Sequence, residues 1–99
     1  MVKNNMRPIH PGEILKEEFL IPLHMNAHAL SMALHVPAPR INDIVRERRS
    51  ITPDTALRLA RYFGTTPEFW LTLQQNFDLR HAHRELNSAI MQEVHPRAA

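Results

Sequence analysis

The segment Asn26–Arg49 constrains the fold of this chain more than any other stretch of its sequence. Its apolar residues recur at helical spacing in two short blocks, the first with Leu30 and Leu34 and the second with Ile41 and Ile44. A turn separates the blocks, and a run rich in arginine follows the second. The pattern predicts two short helices that are joined by a tight turn.

The second of these helices is predicted to have an apolar face and a polar, basic face. Ile41, Ile44 and Val45 fall on one side because they are three and four residues apart. The opposite side carries Pro39, Asn42, Asp43 and Arg46. Such a helix suits the major groove of DNA, where arginine pairs with guanine and asparagine with adenine. We therefore interpret the pair as a helix-turn-helix unit whose recognition helix spans Pro39–Glu47.

Eight residues of this unit are expected to contact DNA: Ala38, Pro39, Arg40, Asn42, Asp43, Arg46, Arg48 and Arg49. Arg46 and Asn42 should reach base edges, and Asp43 should accept a hydrogen bond from the amino group of cytosine. Arg40 is expected at the edge of the same face. The two arginines that follow the helix should hold phosphates. The flanking prolines are expected to keep Ala38 extended, just ahead of the helix.

Two ordinary helices of a small bundle would explain the same spacing without DNA. Arginines near a helix C-terminus also offset the helix dipole, which is a purely structural role. The charge distribution favours DNA, because residues 37–65 contain six arginines against three acids while the whole chain carries only +2. The basic surplus therefore coincides with the predicted DNA-binding segment.

Composition limits the class of protein. A chain of 99 residues is long enough for one domain with a modest core. Cysteine is absent, which excludes disulfides and is typical of a cytoplasmic protein. No apolar run is long enough to span a bilayer, and no leader resembles a signal peptide. The seven histidines lack metal-ligand spacing and no nucleophile stands beside a base, so we expect no metal, no cofactor and no enzyme activity.

Helix signals divide the chain into four parts. We expect a mobile arm over residues 1–8, a helix-turn-helix domain over 9–79, a helical extension over 80–93 and a disordered tail over 94–99. Pro11, Pro53 and Pro67 are each placed to open a helix, and Gly64 is placed to end one. Because no stretch alternates with period two, the predicted fold class is all-α, a five-helix domain with a C-terminal helical extension.

The aromatic residues Phe69 and Trp70 can belong either to the core or to an interface with a partner. We expect Phe69 in the core, and both possibilities remain open for Trp70. The apolar stripe from Phe69 to Ile90 exceeds what a five-helix core needs. We therefore expect this stripe to form a two-fold homodimer that reads an inverted repeat in DNA.

Three segments resemble the HigA/VapI group of antitoxins: HPGEILKEEFLIPL (His10–Leu23), VPAPRINDIVRERRSITPDTALRLARYFGTTPEFWLTLQ (Val36–Gln74) and FDL (Phe77–Leu79). This group belongs to the lambda-repressor-like, or XRE, helix-turn-helix proteins. The resemblance covers most of the chain, and its longest segment is highly specific to the group. Ser31 stands at the position of the motif's usual small residue, and His35 replaces the usual turn glycine.

The resemblance implies a five-helix lambda-repressor-like domain that dimerises and represses its own toxin–antitoxin operon. It also implies binding of a RelE/HigB-like toxin, an mRNA-cleaving endonuclease. The expected docking surface for such a basic partner is the N-terminal helix with Glu13, Glu17 and Glu18, and the alternative is the C-terminal helix with Asp78, Glu85 and Glu93. Two other hypotheses remain: a free-standing XRE-type transcriptional regulator without a toxin partner, and a protein-binding helical module without affinity for DNA.

Overall fold

The computed structural model describes residues 7–98. This part of the chain forms five helices and no strand, which confirms the all-α prediction. The helices are α1 (Pro11–Ile14), continued by a π-helical segment (Leu15–Leu20), α2 (Ala27–Leu34), α3 (Ala38–Val45), α4 (Pro53–Phe63) and α5 (Pro67–Glu93). Most of the arm predicted for residues 1–8 lies outside the described residues, and residues 94–98 have no regular secondary structure.

The helices begin where the sequence provides a capping side chain. Asn26 Oδ1 accepts a hydrogen bond from the amide of Ala29 at 2.7 Å, which caps α2. Thr66 Oγ1 accepts one from the amide of Phe69 at 3.1 Å, which caps α5. Helix α3 has no side-chain cap and begins instead after Pro37, whose backbone is extended. Conformational stiffness therefore replaces a polar cap at the start of α3.

Helix α2 ends at a residue in the left-handed conformation. His35 has φ 59° and ψ 47°, and its amide donates to the carbonyl of Met32 at 3.2 Å. The amide of Val36 donates to the carbonyl of Ser31 at 3.0 Å. This pair of bonds is the Schellman motif, in which glycine is the commonest left-handed residue. The turn of the helix-turn-helix unit therefore keeps its usual geometry, at a steric cost to His35 of about 1 kcal/mol.

The core is formed by all five helices, and its largest fully buried side chains include Trp70, Leu15, Leu30, Ile41, Ile44 and Leu59. The Nε1 of Trp70 donates to Thr65 Oγ1 at 2.8 Å, so the polar atom of this buried ring has a partner. Phe69 remains 39% exposed, and the prediction that it is a core residue is wrong. Consecutive side chains on a helix point about 100° apart, so only one residue of this pair can face the centre of the core.

Helix α5 extends beyond the helices that pack against it. Its 27 residues correspond to about 40 Å of helix, in a molecule whose extents are 53 × 28 × 23 Å. Its buried residues, Trp70 and Gln74, both lie in its first third. Farther along, Leu79, Leu86 and Ile90 are 66%, 51% and 47% exposed. We call these three side chains, Leu79, Leu86 and Ile90, the exposed apolar stripe of α5.

Two further findings concern only the part of the chain that the structure describes. None of its helices is both long enough and apolar enough to cross a membrane. Its histidine and carboxylate side chains do not form any group of three or more that is suited to hold a metal ion.

Candidate DNA interface

Helix α3 turns one face to the core and the other to solvent. Ile41 and Ile44 are fully buried and pack this helix against α2 and the first helix. Of the residues predicted to contact DNA, Pro39, Asn42, Arg46, Arg48 and Arg49 are exposed, and Ala38, Arg40 and Asp43 are half-buried. All eight therefore lie on α3 or directly after it, and none is withdrawn into the core.

The structure corrects the predicted start of the recognition helix. The sequence analysis expected Pro39–Glu47, whereas α3 spans Ala38–Val45. Ala38 is the first helical residue, so the prediction that it is extended is wrong. The extended residue is Pro37, with φ −61° and ψ 144°. A proline disfavours helix in the residue before it, but Pro39 lies in the first turn, where its missing amide removes no helical hydrogen bond.

The predicted end of the helix is also corrected, because Glu47 lies outside it. Glu47 has φ 64°, and its amide donates to the carbonyl of Ile44 at 2.9 Å. The amide of Arg48 donates to the carbonyl of Asp43 at 2.7 Å, which completes a second Schellman motif. Glutamate seldom adopts positive φ, so the sequence contained little signal for this early stop. The motif turns the chain sharply after Arg46.

The three arginines at this turn remain accessible. Arg46, Arg48 and Arg49 are all exposed. Arg49 Nη2 lies 3.9 Å from Asp43 Oδ2, and both side chains are partly exposed. An ion pair of this length at the surface is worth little, so Arg49 can exchange the carboxylate for a phosphate at small cost.

Asp54, which the sequence analysis did not select, lies between two arginines. Arg40 Nη1 donates to Asp54 Oδ2, and Arg58 Nε lies 3.2 and 3.3 Å from the two carboxylate oxygens. Arg58 Nη1 also donates to the carbonyl of Leu34 at 2.8 Å. The hydrogen bond from Arg40 holds the pKa of Asp54 below its usual value. We call these groups the Asp54 clamp, which joins α2, α3 and α4.

Gly12 allows the first helix to approach the buried side of α3 closely. A Cβ atom on this residue would lie 1.8 Å from the carbonyl oxygen of Ile44, so only glycine allows the observed approach. His10 Nδ1 accepts a hydrogen bond from the Gly12 amide at 2.8 Å, and burial lowers the pKa of His10, which favours the neutral ring this bond requires. The His10 ring packs edge-on against Phe77 of α5, with centroids 4.8 Å apart.

Gln74 holds the other end of the arginine-rich loop. The buried amide of Ile51 donates to Gln74 Oε1 at 2.8 Å. The Nε2 of Gln74 in turn donates to Asp78 Oδ1 at 3.0 Å, which orients the amide group. The loop that carries the phosphate-binding candidates is thus attached to α5. Neither this contact nor that of Gly12 has a local sequence signal, because each depends on how distant helices pack.

Comparison with known proteins assigns this arrangement to a family. The family model HTH_3, described as helix-turn-helix, matches residues 15–70. Virulence-associated protein I of Dichelobacter nodosus is 57% identical over 86 residues, which cover 87% of this chain and 80% of that protein. The chain therefore belongs to the helix-turn-helix family, in its XRE-type branch.

Solved structures narrow the assignment within the family. The Pseudomonas aeruginosa antitoxin HigA, solved with the higBA promoter, has a TM-score of 0.90 and 48% identity over 93% of this chain and 100% of that one. The antitoxin GraA in complex with its operator has a TM-score of 0.89 and 49% identity, with both chains fully covered. The resemblance to the HigA/VapI group that the sequence suggested is therefore confirmed.

Proposed function

We propose that this chain is an antitoxin that binds DNA sequence-specifically and represses its own toxin–antitoxin operon. The observation that carries the proposal is the exposed polar and basic face of α3, supported from behind by Ile41, Ile44 and Gly12. A rigid base matters because base recognition needs side chains held in one orientation. Two structural relatives, HigA with its promoter and GraA with its operator, are DNA complexes, which favours the same use of α3 here.

We assign the contacts by the position of each side chain. Asn42 and Arg46 lie on the exposed face of α3 and should pair with base edges, with Asp43 beside them as an acceptor for cytosine. Arg48 and Arg49 should bind phosphates from the turn after the helix. At the opposite end of α3, its first residues, Ala38, Pro39 and Arg40, should line the groove.

The assignment predicts different effects for two neighbouring arginines. Arg46→Ala should weaken operator binding by about 1–3 kcal/mol and relax the preference at one base position. Arg49→Ala should weaken all sequences about equally and flatten the dependence of log K on log salt by roughly 0.9 per protomer. Titrations of operator and mixed-sequence duplexes at several salt concentrations measure both quantities.

Arg61→Ala is the matched control, because Arg61 is an exposed arginine on α4 rather than on α3. It should leave affinity, preference and salt dependence close to those of the wild type. If Arg46→Ala behaves like this control, the assignment of α3 as the recognition helix is wrong.

We further propose a two-fold homodimer formed through the exposed apolar stripe of α5. One recognition helix offers few base contacts, and two copies related by symmetry would double them on an inverted repeat. The half-sites should then lie about 34 Å apart, or a multiple of this distance. Leu79, Leu86 and Ile90 are exposed in the single chain and would be buried by the partner.

The antitoxin proposal includes a toxin, which we expect to be a basic, RelE/HigB-like endonuclease. In the N-terminal helix Glu17 and Glu18 are exposed. Glu13 is bound by Arg7, with nitrogen–oxygen distances of 3.0 and 3.1 Å, so it is less available than the sequence suggested. We therefore propose Glu17 and Glu18 as the toxin-binding carboxylates, on the π-helical segment rather than on α3.

Charge reversal tests this surface. Glu17→Lys/Glu18→Lys should weaken toxin binding by roughly a hundredfold, because like charges at an interface cost several kcal/mol. Co-purification and growth rescue on co-expression with the adjacent small reading frame are the measurements. Glu85→Lys/Glu93→Lys is the matched comparison on α5. If only the α5 variant loses the toxin, the docking surface lies on that helix instead.

The same experiments separate the competing functions. If the adjacent reading frame encodes no toxic protein while the chain binds its own promoter, the chain is a free-standing XRE-type regulator. If the chain binds the toxin but has no affinity for any DNA, it is a protein-binding module.

A further inference from the structure

The Asp54 clamp lies next to the proposed DNA-reading face, and its charged side chains are partly exposed. The side chain of Asp54 is 54% exposed, and that of its partner Arg40 is 28% exposed. Surface ion pairs of this kind add little to stability. The cap of α4 is provided separately by Thr52, whose Oγ1 accepts from the amide of Thr55. An acid in the first turn of α4 also interacts favourably with the helix dipole, but this interaction does not require a partner on α3.

The clamp holds Arg40 in a defined place. Arg58 reaches Asp54 from the next turn of α4 and is itself fixed by the carbonyl of Leu34 at the end of α2. Asp54 is therefore anchored on one side before it meets Arg40 on the other. Arg40 is therefore half-buried, whereas Arg46 at the far end of α3 is exposed.

We propose that Asp54 is a specificity-determining residue that keeps Arg40 from binding DNA phosphates indiscriminately. The inference rests on the proposed function. On mixed-sequence DNA a phosphate would have to displace the Asp54 carboxylate from Arg40 and approach a second negative charge. At the operator, the base contacts of Asn42 and Arg46 fix the position of α3, and Arg40 keeps Asp54 as its partner. A repulsive element of this kind raises the ratio of specific to non-specific binding without adding an attractive contact.

Asp54→Asn keeps the shape of the side chain but removes its charge. Arg40 is then free to neutralise one phosphate in each protomer, so the salt dependence of binding to mixed-sequence DNA should steepen by about 0.9 per protomer. For each protomer, the gain in mixed-sequence affinity should therefore grow by about threefold to fourfold when salt falls from about 200 mM to about 50 mM, while operator binding changes less. The ratio of the two affinities should therefore fall.

The chain provides a closely matched control. Two helices begin with the same pattern: a threonine cap, a proline and an acid in the first turn. These segments are Thr52-Pro53-Asp54 in α4 and Thr66-Pro67-Glu68 in α5. Glu68→Gln removes the same charge from the same position relative to a helix N-terminus. It should leave the salt dependence and the affinity ratio unchanged.

A double-mutant cycle identifies the route of the effect. In an Arg40→Gln background, Asp54→Asn should no longer steepen the salt dependence, because the arginine it would release is absent. Thermal unfolding of each variant shows whether the fold is intact. The inference is wrong if Asp54→Asn and Glu68→Gln bind mixed-sequence DNA equally. It is also wrong if Asp54→Asn steepens the salt dependence as strongly without Arg40 as with it. If the wild type binds neither its promoter nor mixed-sequence DNA, the proposed function fails and this inference fails with it.

Discussion

Gly12→Ala should destabilise the protein by about 3 kcal/mol or more and abolish operator binding in the fraction that remains folded. The new Cβ would lie 1.8 Å from the carbonyl oxygen of Ile44 and 2.8 Å from its carbonyl carbon. Both atoms belong to the backbone of α3, so no side-chain rotation relieves the clash. The first helix and α3 must separate, which also moves the residues proposed to read DNA.

Gly64→Ala is the control for this experiment. Gly64 has φ 75°, but a Cβ there meets nothing within 4 Å. The substitution therefore adds only backbone strain, at a cost of about 1–2 kcal/mol, and should leave operator affinity unchanged. Urea denaturation of the two variants measures the difference. Equal destabilisation would show that the close approach of Gly12 to Ile44 does not exist in solution.

Removal of the exposed apolar stripe of α5 should convert a dimer into a monomer and lower operator affinity by about 10³-fold or more, towards the level of non-specific binding. A chain that ends at Leu79 loses Leu86 and Ile90 of the stripe but retains Trp70 and Gln74, the buried residues of this helix, so its domain should stay folded. In the full-length chain, Leu86→Glu/Ile90→Glu places charges on the same stripe and should have the same effect. Sedimentation velocity at micromolar concentration measures the dimer.

A hydrophobic-to-acid change elsewhere provides the comparison. Leu57 is also exposed, but it lies on α4. Leu57→Glu should therefore leave both the dimer and its operator affinity intact. If the truncated chain still sediments as a dimer, the two-fold interface lies outside the stripe.

The local features of this fold were predictable because they depend on neighbouring residues. Pro53 and Pro67 open helices as expected, and Ile41 and Ile44 face the core as their spacing predicts. The same local rules failed for Glu47, which adopts a conformation that glutamate rarely takes. The recognition helix therefore ends earlier than predicted, but it exposes the predicted face.

The contacts that support the candidate site were not predictable in the same way. Asp54 and Arg40 are 14 residues apart and meet only because the fold brings the first turns of α3 and α4 together. The choice between Phe69 and Trp70 as the core aromatic also depends on how α5 is rotated against its neighbours. Periodicity leaves such a rotation open when two adjacent residues are both large and apolar.

The buried hydrogen bond from the Ile51 amide to Gln74 links two proposed activities of the chain. Gln74 belongs to the helix that carries the dimer stripe, and Ile51 closes the loop that carries the phosphate-binding arginines. A buried donor that loses its partner has no water to replace it, so the loop and the helix cannot shift independently without cost. Coupling free energies are reciprocal. Operator DNA would thus promote dimerisation of the protein that binds it. A dimer would form on DNA at concentrations where the free protein is a monomer.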